Sequence, residues 1–318
     1  MIRLALLSFF FLILACNTFA KTTYFPTQTL VINSFSPDTS LPQHKINKSV
    51  LAAAIVTESA VYIGGMSYLQ FVWYKDHERV PFEFYNDNAG YLQMDKLGHA
   101  YASYFESYTA YNWLRKAGVS KNKALLFGGT MGILLQAPIE IFDGMYEGWG
   151  FSWGDIIANT SGSAFLIGQE LLFDEQIIRH KMSFSKSEYF DQANGYLGET
   201  VFQSFFYDYN SHTHWWSANA NRFIMKEKLP SWINFSLGYS ANGMFGEFEN
   251  RNYYLGVKLP QVDRTRQFLF SLDVDWEKIP TNSRFLKTVF KGLNFVKVPF
   301  PAIEINSKGK INGYWFYF

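Results

Sequence analysis

Residues 268–276 read Phe-Leu-Phe-Ser-Leu-Asp-Val-Asp-Trp, with large apolar side chains at 268, 270, 272, 274 and 276 and with Ser271, Asp273 and Asp275 between them. A period of two marks a half-buried strand, because successive side chains of an extended chain point to opposite faces. A second run alternates Ile233, Phe235, Leu237 and Tyr239 with Asn234, Ser236, Gly238 and Ser240, and Tyr253, Leu255, Val257 and Leu259 form a third. Asn242-Gly243 and Glu249-Asn250 separate them, as turns between antiparallel strands do. Residues 183–318 are therefore read as an antiparallel, aromatic-rich β region ending in Gly313-Tyr-Trp-Phe-Tyr-Phe318. Five or six strands can be counted from about residue 213, whereas the smallest outer-membrane barrels have eight. The count favours a sheet packed on the rest of the chain or at a membrane surface.

Upstream the period changes. Four apolar segments, 49–74, 96–117, 123–143 and 153–173, each suit a helix of about 20 residues, near the length that crosses a bilayer. Together they predict a four-helix bundle over 49–182, and the fold class is α+β. The bundle is either membrane-embedded or packed within the protein, and both readings stay open. Gly64, Gly65, Gly128, Gly129, Gly132 and Gly162 allow close helix approach in either setting. With the N-terminus exported, four crossings would leave Arg115, Lys116, Lys121 and Lys123 outside, against the positive-inside tendency.

The first twenty residues, MIRLALLSFFFLILACNTFA, have one Arg and then an apolar run too short to span a bilayer, as in a signal peptide. Thr18-Phe19-Ala20 fits ordinary signal-peptidase cleavage, while Ile13-Leu14-Ala15-Cys16 fits a lipobox that would make Cys16 a lipid-anchored N-terminus. Residues 21–48, with Pro26, Pro37 and Pro42, read as a linker. Cys16 is the chain's single cysteine, which excludes a disulfide framework or a multi-cysteine metal site within one chain. With 28 Lys+Arg against 27 Asp+Glu the net charge is +1, so there is no field to attract nucleic acid.

The chemistry concentrates in three stretches: Met94-Asp95-Lys96-Leu97-Gly98-His99, Ile139-Glu140-Ile141-Phe142-Asp143-Gly144 and Ser152-Trp153-Gly154-Asp155 through Asn159. In a helical hairpin arrangement all three fall at one end of the bundle. Helical spacing puts Asp95, His99, Ser103 and Glu106 on one face, Gln136, Glu140 and Asp143 on another, and Asp155, Asn159 and Gly162 on a third. Burying such groups is costly unless they pair, bind a cation or serve a reaction. One reading is structural: Asp95 and Ser152 as N-caps, Ser152-x-x-Asp155 as a capping box, and Lys96 neutralising Glu140 or Asp143. A second makes His99, Glu140, Asp143 and Asp155 ligands of a divalent metal, with His99 or Glu140 as general base. A third is recognition of a polar headgroup or a partner peptide. His212-Thr213-His214 is a weaker candidate, read as a surface strand ahead of a metal pair, and Trp215-Trp216 as core or interface.

Asp95-Lys96-x-Gly98-His99, then Glu140-x-x-Asp143-Gly144, then Ser152-x-x-Asp155-x-x-x-Asn159 resembles the YfiM-like family of predicted periplasmic lipoproteins, a domain family of unknown function. The chain is also distantly similar to the VanZ-like membrane proteins. The resemblance covers about residues 90–175. It implies an envelope location and functional weight for Asp95, Lys96, His99, Glu140, Asp143, Asp155 and Asn159, and it implies no activity. The expected function is thus that of a periplasm-facing, membrane-associated envelope (lipo)protein binding an envelope lipid or a protein partner through the polar cluster. The alternative is a metal-dependent hydrolase of an envelope-lipid ester or phosphate.

Overall fold

The computed structural model describes residues 46–222 and 229–318. The expected signal peptide, Cys16 and residues 21–45 of the linker lie outside the described residues. The fold is α+β, with helices first and an antiparallel sheet after them.

Helix α1 is Lys48–Tyr68, capped by the Asn47 side chain and prolonged by a π-helical turn to Trp73. It is followed by α2 (Met94–Lys116), α3 (Lys121–Phe127), α4 (Met131–Asp143) and α5 (Trp153–Phe173). The third expected segment is therefore two helices. Gly128-Gly129-Thr130, all poor helix formers, interrupt it. By length and composition, two stretches among the described residues could cross a membrane: Lys48–Trp73 and Lys121–Asp143.

Helix α2 is the hub. It buries Ser103, Tyr104, Ser107, Tyr108 and Tyr111, and both α4 and α5 pack on it. Two glycines set how closely. A Cβ on Gly132 would lie 2.2 Å from the Ser103 carbonyl oxygen, and one on Gly162 would lie 2.2 Å from that of Ala100. The small hydroxyls fill what remains: Ser103 donates to the Asn159 carbonyl at 2.5 Å, and Gly132 N–H donates to Ser107 Oγ at 2.9 Å.

The main sheet has the order β1-β2-β3-β6-β7-β8, all neighbours antiparallel. Its strands are β1 (Ile178–Phe184), β2 (His212–Asn219), β3 (Ile233–Asn242), β6 (Thr265–Val274), β7 (Phe300–Asn306) and β8 (Ile311–Tyr317). A separate hairpin, β4 (Tyr253–Tyr254) and β5 (Val257–Lys258), replaces the single strand expected from Tyr253 to Leu259. Leu255 and Gly256 both adopt positive φ, the geometry of a tight hairpin turn, which alternation alone does not reveal. The sheet also starts earlier than residue 183, since β1 begins at Ile178 within the stretch assigned to helices. Its sequence alternates Ile178, His180, Met182 and Phe184 with Arg179, Lys181 and Ser183, and the polar side is buried, with Lys181 paired to Asp273. Among the described residues two α-helices sit inside the β half, α6 (Val201–Tyr207) and the strongly amphipathic α7 (Arg284–Leu293).

The polarity of the sheet is the reverse of the usual half-buried strand. Along β3, Asn234, Ser236 and Ser240 are buried and Leu237 is 61% exposed. Along β6, Ser271 and Asp273 are buried while Phe268, Phe270 and Leu272 are exposed. The alternation locates the strands correctly and misleads about which face is inside. The β1–β2 end of the sheet carries α2, with Tyr101 against the rings of His180 and His214.

Candidate functional site

The chain enters α2 through a strained turn. Tyr91, Leu92 and Gln93 have φ of 45°, 52° and 67°, a left-handed run of three non-glycine residues. Each such residue costs about 1–2 kcal/mol. The sheet holds them there: Tyr239 Oη donates to the Leu92 carbonyl at 2.5 Å, Arg266 donates to the same oxygen at 3.1 Å and also to Gln93 Oε1. Helix α2 therefore begins at Met94 with Asp95 inside its first turn. Asp95 is not the N-cap expected of it, and its carboxylate is free for the cluster.

Four groups from α2 and α5 meet at that end. Lys96 Nζ lies 2.7 Å from Asp87, 3.0 Å from Asp95 and 2.9 Å from Asp155. His99 Nε2 lies 3.9 Å from Asp95 Oδ1 and 3.6 Å from Asp155 Oδ1. One ligand atom each from Asp95, His99 and Asp155 fall within 4.8 Å of one another, the spacing of donors around a single ion. On the other side of the ring, His99 Nδ1 is 3.3 Å from Asn159 Oδ1 and 3.7 Å from Glu140 Oε1. Glu140 is 1% exposed, and neither of its oxygens accepts a hydrogen bond. Asp143, one turn on, turns away to accept a hydrogen bond from Tyr74.

Ser152 caps α5, accepting from Asp155 N–H at 3.1 Å and donating to Asp87 Oδ1 at 2.6 Å. Only half of the expected capping box forms, since the Asp155 carboxylate goes to Lys96 rather than back to the first turn. Lys96, expected to neutralise Glu140 or Asp143, instead holds Asp87, Asp95 and Asp155. Glu106 pairs with Gln136 at 2.8 Å, deeper in the helical layer.

Five carboxylates (Asp87, Asp95, Glu140, Asp143, Asp155) thus surround two cationic side chains, and the charge balance tunes each group. Burial alone would lower the His99 pKa, but Asp95, Asp155 and Glu140 outweigh it and raise it to about 9. Burial raises Glu140 to about 8, against the pull of His99, and raises Asp143 and Asp155 to about 6. Asp95 runs the other way: the charges of His99 and Lys96 overcome burial and lower it. An excess of buried negative charge is what a cation would relieve.

Three participants had no clear sequence signal, Tyr74 at the end of the π-helical turn after α1 among them. Asp87 sits in the loop before α2, and Tyr209, from the β half, donates to Asp95 Oδ1 at 2.5 Å. Of the weaker candidates, the histidine pair differs from expectation and the tryptophan pair does not. His212 and His214 are buried rather than on a surface strand, and His214 Nδ1 lies 3.3 Å from His180 Nε2. Burial lowers His180 to about 3 and His212 to about 4, so these imidazoles are neutral. Trp215 is fully buried, and Trp216 stacks on His180.

Residues 83–168 match a family described as predicted periplasmic lipoproteins (DUF2279). That stretch is well under half of the chain, yet it contains Asp87, Asp95, Lys96, His99, Glu140, Asp143, Asp155 and Asn159, every member of the cluster but Tyr209 and Tyr74. The family's description supports an exported, envelope-located protein. No curated protein and no solved structure matches the chain.

Proposed function

We propose that the chain is a cell-envelope protein that binds one divalent cation through His99 Nε2, Asp95 Oδ1 and Asp155 Oδ1. The observation that carries the reading is the convergence of those three atoms, with a buried, unbonded Glu140 carboxylate behind the imidazole. Two carboxylates and one imidazole suit a hard or borderline ion such as Mn2+ or Zn2+. Glu140 and Asn159 at Nδ1 correspond to the acceptors that fix the tautomer and orientation of a ligating histidine. In this reading Glu140 positions the ligand, Asp143 serves through its neighbours, and Lys96 balances the carboxylates that the ion leaves partly uncompensated.

Three protein donors leave coordination positions open. A headgroup oxygen of an envelope lipid is the ligand that the reading assigns to them. The resemblance to YfiM-like proteins, and distantly to VanZ-like ones, agrees with that envelope setting. The same open position favours a second reading, hydrolysis of a lipid ester or phosphate, for which a bound ion would supply Lewis-acid chemistry. Water's oxygen would bond to the carbonyl carbon or phosphorus with His99 or Glu140 as the base, the C–O or P–O bond to the leaving alcohol would break, and that alcohol oxygen would take up the proton.

Titration calorimetry with Mn2+ and Zn2+ tests the primary reading. One ion per chain is expected, with binding lost in His99→Gln and Asp155→Asn and weakened about 10–100-fold in Glu140→Gln. Wild type that takes up no ion, or variants that bind as well as wild type, would overturn it. Release of fatty acid or phosphate from lipid vesicles by the metal-loaded protein would favour hydrolysis over binding.

A further inference from the structure

We infer that the outer face of the sheet, from β3 to β8, lies in the hydrocarbon of a membrane. That surface is distinct from the cation cluster, and the inference does not depend on cation binding.

The sheet is polar inside and apolar outside. On its inner face Lys181 pairs with Asp273 at 2.7 Å, both side chains fully buried, and Ser217 donates to Asp273 at 2.6 Å. Farther along, Tyr314 donates to Glu304 at 2.7 Å. These polar groups pair with one another, as in the lumen of a membrane barrel and unlike the apolar interior of an ordinary soluble sheet. On the outer face the register brings apolar side chains into contiguous rows: Leu237 is opposite Phe270, and Phe270 is opposite Ile303. The neighbouring row places Phe268 opposite Ile305 and Ile305 opposite Ile311. These residues are 47–67% exposed, and Trp315 is 85% exposed. A contiguous apolar field of this kind is far beyond the scattered exposed side chains of a soluble surface.

Charge placement selects lipid as the occupant. The belt itself carries no charge, while α7, between β6 and β7 at its edge, puts Arg284, Lys287 and Lys291 on one face and Phe285, Leu286 and Phe290 on the other. Phe285 is 51% exposed and Leu286 39%. That is the pattern of a helix lying in the headgroup plane with basic residues toward anionic lipid. At the opposite end of the strands, Lys308 and Lys310 form a second charged rim around the β7–β8 turn. The seven residues of β8 rise about 23 Å, short of the roughly 30 Å hydrocarbon core. Immersion of the face is the claim, not a crossing.

Nitroxide labels introduced through Ile303→Cys and Leu237→Cys, with the full chain in phosphatidylethanolamine/phosphatidylglycerol vesicles, test this. Both sites are exposed, so the labels disturb no packing. Hydrocarbon contact predicts collisions with oxygen several-fold more frequent than with a water-soluble nickel chelate at both positions, and the reverse for Lys310→Cys. Preference for the chelate at 303 and 237 would place the face in water and overturn the inference. Low accessibility to both reagents would mean that a second copy or another protein covers it, which also overturns it. As a second measurement, Phe270→Asp is expected to reduce co-flotation with the same vesicles several-fold while leaving stoichiometric cation binding unchanged.

Discussion

Replacing Lys96 with methionine removes one positive charge and keeps most of the side chain's bulk. In the wild type its ammonium lies within 3.0 Å of three carboxylates, Asp87, Asp95 and Asp155, and its side chain is only 12% exposed. Removing one partner of a buried ion pair costs about 3–5 kcal/mol, because the other charge stays behind in a poorly solvated place. Three stranded carboxylates put Lys96→Met at the upper part of that range in the apo protein. The loss depends on pH. Asp155 already titrates near 6 with Lys96 present, above the ordinary value of 3.8, because burial disfavours its charged form. Without Lys96 it rises further, so protonation restores stability on acidification and the deficit is largest above pH 7. Saturating Mn2+ or Zn2+ should shrink the deficit as well, by supplying the missing positive charge. Urea unfolding of wild type and variant at pH 5 and pH 8, with and without the ion, measures all three effects. A loss under about 1 kcal/mol at pH 8, or a loss that grows on acidification, would refute the electrostatic account of the cluster.

Other consequences are equally measurable. Gly162→Ala, whose Cβ would press on the Ala100 carbonyl, should cost about 1–3 kcal/mol of stability and weaken cation binding, whereas Gly168→Ala, which meets nothing within 4 Å, should stabilise by up to about 1 kcal/mol; thermal unfolding separates them. Cation binding should strengthen as pH rises from 6 to 9, because the proton on His99, held up to about 9, must leave Nε2, and calorimetry in buffers of different ionisation enthalpy should detect proton release. Arg266→Ala removes one of the two sheet side chains that hold the left-handed turn at 91–93, the other being Tyr239, and should increase amide hydrogen exchange across residues 88–95 while leaving the α3–α4 region unchanged. Labelled fatty acid should be incorporated into wild type and not into Cys16→Ala, and a wild type without label would end the lipobox reading.

Much of the helical half was legible because the apolar segments and the polar spacings on them are local properties. Asp95 and His99 share a helix face by i, i+4 spacing, and Ser152 before Trp153 announces the start of α5. The cluster's other partners were not legible. Tyr209 reaches Asp95 across 114 residues of sequence, and Arg266 braces Leu92 from another strand, contacts for which no local pattern exists. The roles within the cluster also escaped the sequence. Equal-looking carboxylates at 140, 143 and 155 end up respectively behind the imidazole, bonded to Tyr74 and facing Nε2, because α4 and α5 approach α2 as closely as Gly132 and Gly162 allow. In the sheet the alternation of 233–240 and 268–276 located strands, but periodicity carries no sign. Whether Phe270 or Ser271 faces inward depends on what lies on each side of the sheet.

X-ray absorption at the zinc edge of the Zn2+-loaded protein tests the central claim most directly. The account predicts a first shell of oxygen and nitrogen with one imidazole, its nitrogen at about 2.0–2.1 Å, and loss of the imidazole signature in His99→Gln. A shell without imidazole, or one unchanged by that substitution, would contradict it.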